Sequence, residues 1–107
     1  MIIDTSALVA MIRGEPEANQ FERLLRGSRD ARISAASYVE LAVVIDAVRN
    51  PIASAALDEA LMAYQIRVEP FTPSQARLAR SAYERFGRGS GHPARLNMGD
   101  CFAYSRS

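Results

Sequence analysis

Asp4, Glu40 and Asp100 are the residues of this chain whose type and placement suggest chemistry. Asp4 closes the apolar opening Met1-Ile2-Ile3-Asp4-Thr5-Ser6, Glu40 follows a second short apolar segment, and Asp100 lies within Asn97-Met98-Gly99-Asp100-Cys101-Phe102-Ala103-Tyr104. A β-branched run that stops on a carboxylate reads as a buried strand of a parallel sheet, and such sheets bind ligands at the carboxyl ends of their strands. With a parallel sheet, all three acids fall at one edge. Carboxylates gathered there repel one another by roughly 3 kcal/mol per pair at about 5 Å and an effective dielectric near 20, so a cation is needed between them. An oxygen-only donor set suits a hard cation, Mg²⁺ or Mn²⁺, which keeps several waters and binds phosphate oxygens. The matching chemistry is phosphodiester hydrolysis.

Local readings stand beside this one. Ser37-Tyr38-Val39-Glu40 has the form of a capping box, with Glu40 reaching back to the Ser37 amide. Asn97 can cap a last helix, with Asp100 favoured by that helix's positive end. Asp4 is harder to explain locally, because an acid that ends an apolar strand is partly desolvated and an unpaired buried charge is costly. Thr5 and Ser6 can support it with hydroxyls.

The elements that must position these acids alternate. After strand 1, Ser6 to Arg13 reads as a short helix ended by Gly14, and Pro16 opens a second with Phe21, Leu24 and Leu25 inside. Residues 31–35 make a second strand. Ser37 then starts a helix in which Leu41, Val44, Ile45 and Val48 share one face, and Asn50-Pro51 ends it. Leu57, Ala60, Leu61 and Tyr64 repeat that spacing, residues 66–71 form a third strand, and Ala79, Ala82, Tyr83 and Phe86 mark a fourth long helix. The order is βααβααβα in one domain. Gly87-Arg88-Gly89-Ser90-Gly91-His92-Pro93 reads as an arginine-bearing loop before a last short helix near Asp100.

Composition sets the outer bounds. At 107 residues and 49% apolar content the chain supports one core, and no apolar stretch approaches 18 residues. With one cysteine there is no intrachain disulfide, and the expected setting is the cytoplasm. Cys101 reads as a small buried hydrophobe, His92 as a loop residue, and the Tyr64 and Tyr83 stripes as core. The net charge is only +1, yet all 13 basic side chains are arginine. The absence of lysine excludes a P-loop and a receiver-type phosphoacceptor site, both of which need one. From Arg77 to Arg95 five arginines face one acid, a local surplus that suits a nucleic-acid backbone. Ser6 stands where a haloacid-dehalogenase-like phosphatase would need its second aspartate.

Three segments together resemble a known family: Met1-Ile2-Ile3-Asp4-Thr5-Ser6-Ala7-Leu8, Ile33-Ser34-Ala35-Ala36-Ser37 leading to Glu40, and residues 87–104 through Asn97-Met98-Gly99-Asp100. The chain is similar to the VapC-type toxins of the PIN-domain superfamily over nearly its whole length. The resemblance implies a PIN-like three-layer α/β/α fold with a central parallel sheet. It also implies a Mg²⁺- or Mn²⁺-dependent endoribonuclease toxin of a type II toxin-antitoxin system. An RNA substrate, a small antitoxin protein and a homodimer would be its partners. By position, Asp4, Glu40 and Asp100 would be the metal-binding catalytic acids, with Ser6 and Asn97 as polar support; Arg88 and Arg95 are the candidate nucleic-acid contacts. Family members run on past residue 107 by about one strand and a fourth acid. The expectation is therefore a single domain over 1–107, shortened at its C-terminus, with an incomplete active site. A second reading is a catalytically inactive PIN-like fragment that binds an antitoxin or a sister chain. A third is an unrelated small α/β hydrolase.

Overall fold

The computed structural model describes residues 1–86. The expected loop, the last helix, Cys101 and His92 lie outside them. Helices dominate: α1 (Thr5–Ile12), a 3₁₀ turn (Pro16–Ala18), α2 (Asn19–Gly27), α3 (Ala35–Asp46), α4 (Pro51–Ala63) and α5 (Pro73–Phe86). Between them run two short strands, β1 (Arg32–Ser34) and β2 (Arg67–Glu69), paired in parallel with Ile33 opposite Val68. The opening segment adds a parallel bridge, Ile2 to Arg32, with Ile3 N–H donating to Arg32 and Arg32 N–H to Met1, both at 3.0 Å. β1 is thus central. The order matches the sequence reading, except that strand 1 is a single bridge.

Helix boundaries follow from local chemistry. Asn50 accepts from the Ile52 amide at 3.0 Å with Pro51 as the first helical residue of α4, so the Asn-Pro pair that stops α3 also starts α4. Ser34 caps α3: its hydroxyl accepts from the Ser37 amide at 3.1 Å. This corrects the capping box expected at Ser37 and Glu40. The helix begins three residues earlier, directly off β1, because Ser34 ends the strand in extended backbone with its oxygen free to turn onto the first turn.

The core lies where α1, α3 and α4 meet the sheet. Ile3, Leu8, Leu25, Ile33, Leu41 and Ile45 are buried within it, Leu8 at 0% exposure and Ile33 at 1%. α3 packs on both strands and on α1 and α4. The Tyr64 hydroxyl donates to Glu22 at 3.2 Å, tying the end of α4 to α2. Several apolar residues expected inside face out: Leu24 is 60% exposed and Val48 62%, and Val44 and Tyr83 are also exposed. Leu25, with partly buried Phe21, and Leu41 with Ile45 carry the contacts, each pair one turn apart.

Charge gathers at the amino ends of the strands. Asp30 pairs with Arg67, with Arg32 at 3.7 Å and with the terminal ammonium at 3.7 Å, so the cross-strand neighbours Arg32 and Arg67 share a counter-ion. Arg32 also reaches Glu69 at 3.8 Å. The opposite, carboxyl ends lead to Asp4 and Ser34.

Candidate active site

At the carboxyl end of the opening segment the backbone stays extended through Asp4, with φ −79° and ψ 116°, and then enters α1. Asp4 is the N-cap: its Oδ1 accepts from the Ser6 amide at 2.9 Å. A carboxylate so placed satisfies one of the helix's free amides and gains from the positive helix end. The side chain remains exposed, with lone pairs to spare for another ligand. Asp4 therefore both caps a helix and points a fixed charge outward.

Glu40 arrives from α3. With Ala35 as the first helical residue, it falls in the second turn, not the first turn expected from sequence. It is half-buried. There it lines a cleft of about 320 Å³ together with Thr5, Ser6, Val9, Ala10, Arg13, Glu15, Leu41 and Val44. The cleft runs between α1 and α3. Glu40 and Ser6 thus share one cavity, and Asp4 caps the turn that forms its head.

The remaining expected site residues, Asp100, Asn97, Arg88 and Arg95, lie outside the described residues. Among the described residues no group of three or more His, Cys, Asp or Glu side chains is placed to hold a metal. Two of the three expected acids are described: Glu40 lines the α1–α3 cleft and Asp4 caps the helix that forms one of its walls.

The comparisons with known proteins show which family the chain belongs to. The profile of the PIN domain matches residues 1–105, nearly the full chain. The chain belongs to the PIN-domain family. Within it, the similarity is to VapC ribonucleases. VapC ribonuclease Mb0625 of Mycobacterium bovis and ribonuclease VapC28 of Mycobacterium tuberculosis are each 51% identical over 105 residues, covering 98% of this chain and 79% of theirs. Ribonuclease VapC42 of Mycobacterium tuberculosis is 46% identical over 105 residues, covering 98% of this chain and 80% of its own. This PIN domain is thus an α/β fold of the VapC ribonuclease type. Among its described residues, no helix is long and apolar enough to cross a membrane.

Sequence reading did not connect Arg13 and Glu15 to the acids, although both line the same cleft. Their link is Gly14, at φ 73°, a backbone conformation that glycine adopts at little cost. Gly14 N–H donates to Met11 and Glu15 N–H to Ala10, each at 3.0 Å. This is a Schellman ending. It turns the chain so that the residues on either side of the glycine face one cavity. A glycine between two charged residues at a helix end was the available signal.

Proposed function

We propose that this PIN domain is a metal-dependent endoribonuclease, the toxin of a type II toxin-antitoxin pair, acting in the cytoplasm. It would cleave RNA at the head of the α1–α3 cleft, pair with a small antitoxin protein and work as a homodimer. The observation that carries this reading is a cleft lined by Glu40 from α3 and Ser6 from α1, with Asp4 capping α1 through the Ser6 amide, in a chain half identical to VapC ribonucleases.

The donor chemistry fits a hard cation. Asp4 offers an exposed carboxylate with one oxygen already anchored, Glu40 and Ser6 line the same cleft, and no described side chain there is a histidine or thiolate. Asp4, Glu40 and Asp100 would hold Mg²⁺ or Mn²⁺, with Ser6 and Asn97 supporting them; the ion, when bound, lowers the pKa of a water and offsets phosphate charge. The protein's own part is positional. The Ser6 amide fixes the Asp4 carboxylate, and the Ser34 cap fixes the phase of α3 and so the direction of Glu40. Val9, Leu41 and Val44 form the apolar part of the cleft wall. Arg88 and Arg95 would hold the RNA backbone.

The test is calorimetric titration with Mn²⁺ together with cleavage of a structured RNA. Asp4→Asn is expected to weaken Mn²⁺ binding clearly and to abolish cleavage. Undiminished Mn²⁺ binding in Asp4→Asn, Glu40→Gln and Asp100→Asn alike would remove the site.

A further inference from the structure

The carboxylate end of the cleft accounts for Asp4, Ser6 and Glu40 and leaves two charged side chains without a task. Arg13 and Glu15 line the opposite end, about 10 Å from Ser6 by the rise of α1. Neither takes part in an ion pair among the described residues. Charged groups that line a cavity unpaired, beyond an apolar floor, suit a ligand that is flat, neutral and polar at its rim. Between the two ends lie Val9, Ala10, Leu41 and Val44.

We propose that this end of the cleft is a base-reading subsite for the RNA, and that the base it selects is guanine. The inference rests on the ribonuclease reading above. A phosphate is the poorer occupant, because Glu15 stands beside the arginine and repels a second anion. A nucleobase carries no net charge and presents both donors and acceptors. Arginine is donor-only and a glutamate carboxylate is acceptor-only. Guanine alone among the four bases offers two adjacent acceptors, O6 and N7, on one edge and two adjacent donors, N1–H and the N2 amine, on the next. The Arg13 fork matches the first and the Glu15 carboxylate the second, each with two hydrogen bonds. Adenine and uracil alternate donor with acceptor along their edges, and cytosine, with adjacent acceptors N3 and O2, has no second edge with two adjacent donors, so none of the three satisfies both charged groups twice. Single-stranded RNA is read in this way, with the base splayed out and bonded along its edges. The cleft as a whole, both ends included, has about 320 Å³, within the range of small-ligand pockets. Gly14 sets the corner: on either side of its left-handed backbone, exposed Arg13 and half-buried Glu15 both line this cleft.

The probes are five labelled RNA pentamers, four uridines around a central G, A, C, U or inosine, titrated into the whole chain in EDTA and followed by fluorescence anisotropy. The guanine pentamer is expected to bind about tenfold tighter than those with A, C or U. Inosine, which lacks the N2 amine, is expected in between. Arg13→Lys keeps the charge but not the fork and should erase most of the preference, as should Arg13→Ala. Glu15→Gln should bring guanine and inosine level. Equal affinities for all five pentamers overturn the proposal, as does a guanine preference that survives both Arg13→Ala and Glu15→Gln. An equal loss of affinity for every pentamer in Arg13→Ala also overturns it, by making Arg13 a backbone contact. Mn²⁺ titration of wild type and Asp4→Asn is run alongside. Asp4-dependent Mn²⁺ binding without base preference sinks the subsite alone, whereas Mn²⁺ binding indifferent to Asp4 sinks the ribonuclease site beneath it.

Discussion

Replacing Ser34 with alanine tests how Glu40 is placed. The Ser34 hydroxyl accepts from the Ser37 amide at 3.1 Å and lies 3.1 Å from the Ser37 hydroxyl, with both serines buried. Losing an N-cap serine costs about 1 kcal/mol. The buried Ser37 hydroxyl, left without its partner, adds about 1–3 kcal/mol. The two losses share one oxygen and overlap, so the sum expected for Ser34→Ala is about 2–3 kcal/mol. At roughly 4–8 °C per kcal/mol for a domain of this size, the melting temperature should fall by about 10–20 °C. Ser37→Ala leaves the amide-to-Ser34 bond in place and should cost less, about 1 kcal/mol. Urea unfolding of both single mutants and the double mutant separates the shared term, since contacting residues couple measurably. Glu40→Gln keeps every capping bond and should be milder than either, while weakening Mn²⁺ binding. A larger loss in Ser37→Ala than in Ser34→Ala, with Glu40→Gln as harmful as the serine changes, would refute the reasoning. It would restore the Ser37–Glu40 box and make Glu40 a capping residue.

Leu8→Ala empties a fully buried position in the core and should cost about 2–5 kcal/mol in urea unfolding, enough to threaten a marginally stable domain. Gly14→Ala adds a Cβ that meets nothing within 4 Å, so the loss is purely conformational, about 1–2 kcal/mol, and a cost near zero would mean that the left-handed corner is not held. Arg88→Ala with Arg95→Ala should flatten the salt dependence of single-stranded RNA binding by about 1.4 in log–log slope if each meets one phosphate, and an unchanged slope places the RNA elsewhere.

Much of this fold was legible because its punctuation is local. Gly14, Pro16 and Asn50-Pro51 each act within a few residues, and each falls at a helix boundary in the structure. Periodicity was less decisive for packing. Leu41, Val44, Ile45 and Val48 do share a broad face, but only Leu41 and Ile45 are buried, because a helix resting on a sheet and two helices buries the middle of its stripe and leaves the flanks outside. Strand length misled for a similar reason: Ile2 and Ile3 are β-branched, but a ladder forms only where a neighbour is in register, and Arg32 provides one partner. At the site, Asp4 could be read from its place at the end of an apolar run. The Ser34 cap could not be separated from the Ser37 box, since both serines stand before the same apolar stripe. Gly14 marked a helix end between Arg13 and Glu15, but their place in the cleft could not be read, because the residues across it, Leu41 and Val44, are nearly thirty positions away in the chain.

The Ser34 cap has a consequence for how this protein can diverge. Five residues separate the cap from Glu40, and each residue turns a helix by about 100°. One insertion or deletion in that stretch would swing Glu40 a quarter-turn or more away from Ser6, while Leu41 would leave the core. Ala36, Tyr38 and Val39 can change in kind, within what a helix tolerates, but their number cannot. Upstream of β1 the exposed link Arg29-Asp30 carries no such phase. Related chains should therefore vary in length there and keep a constant count from the cap to the acid: spacing, more than identity, is what this strand–helix junction passes on.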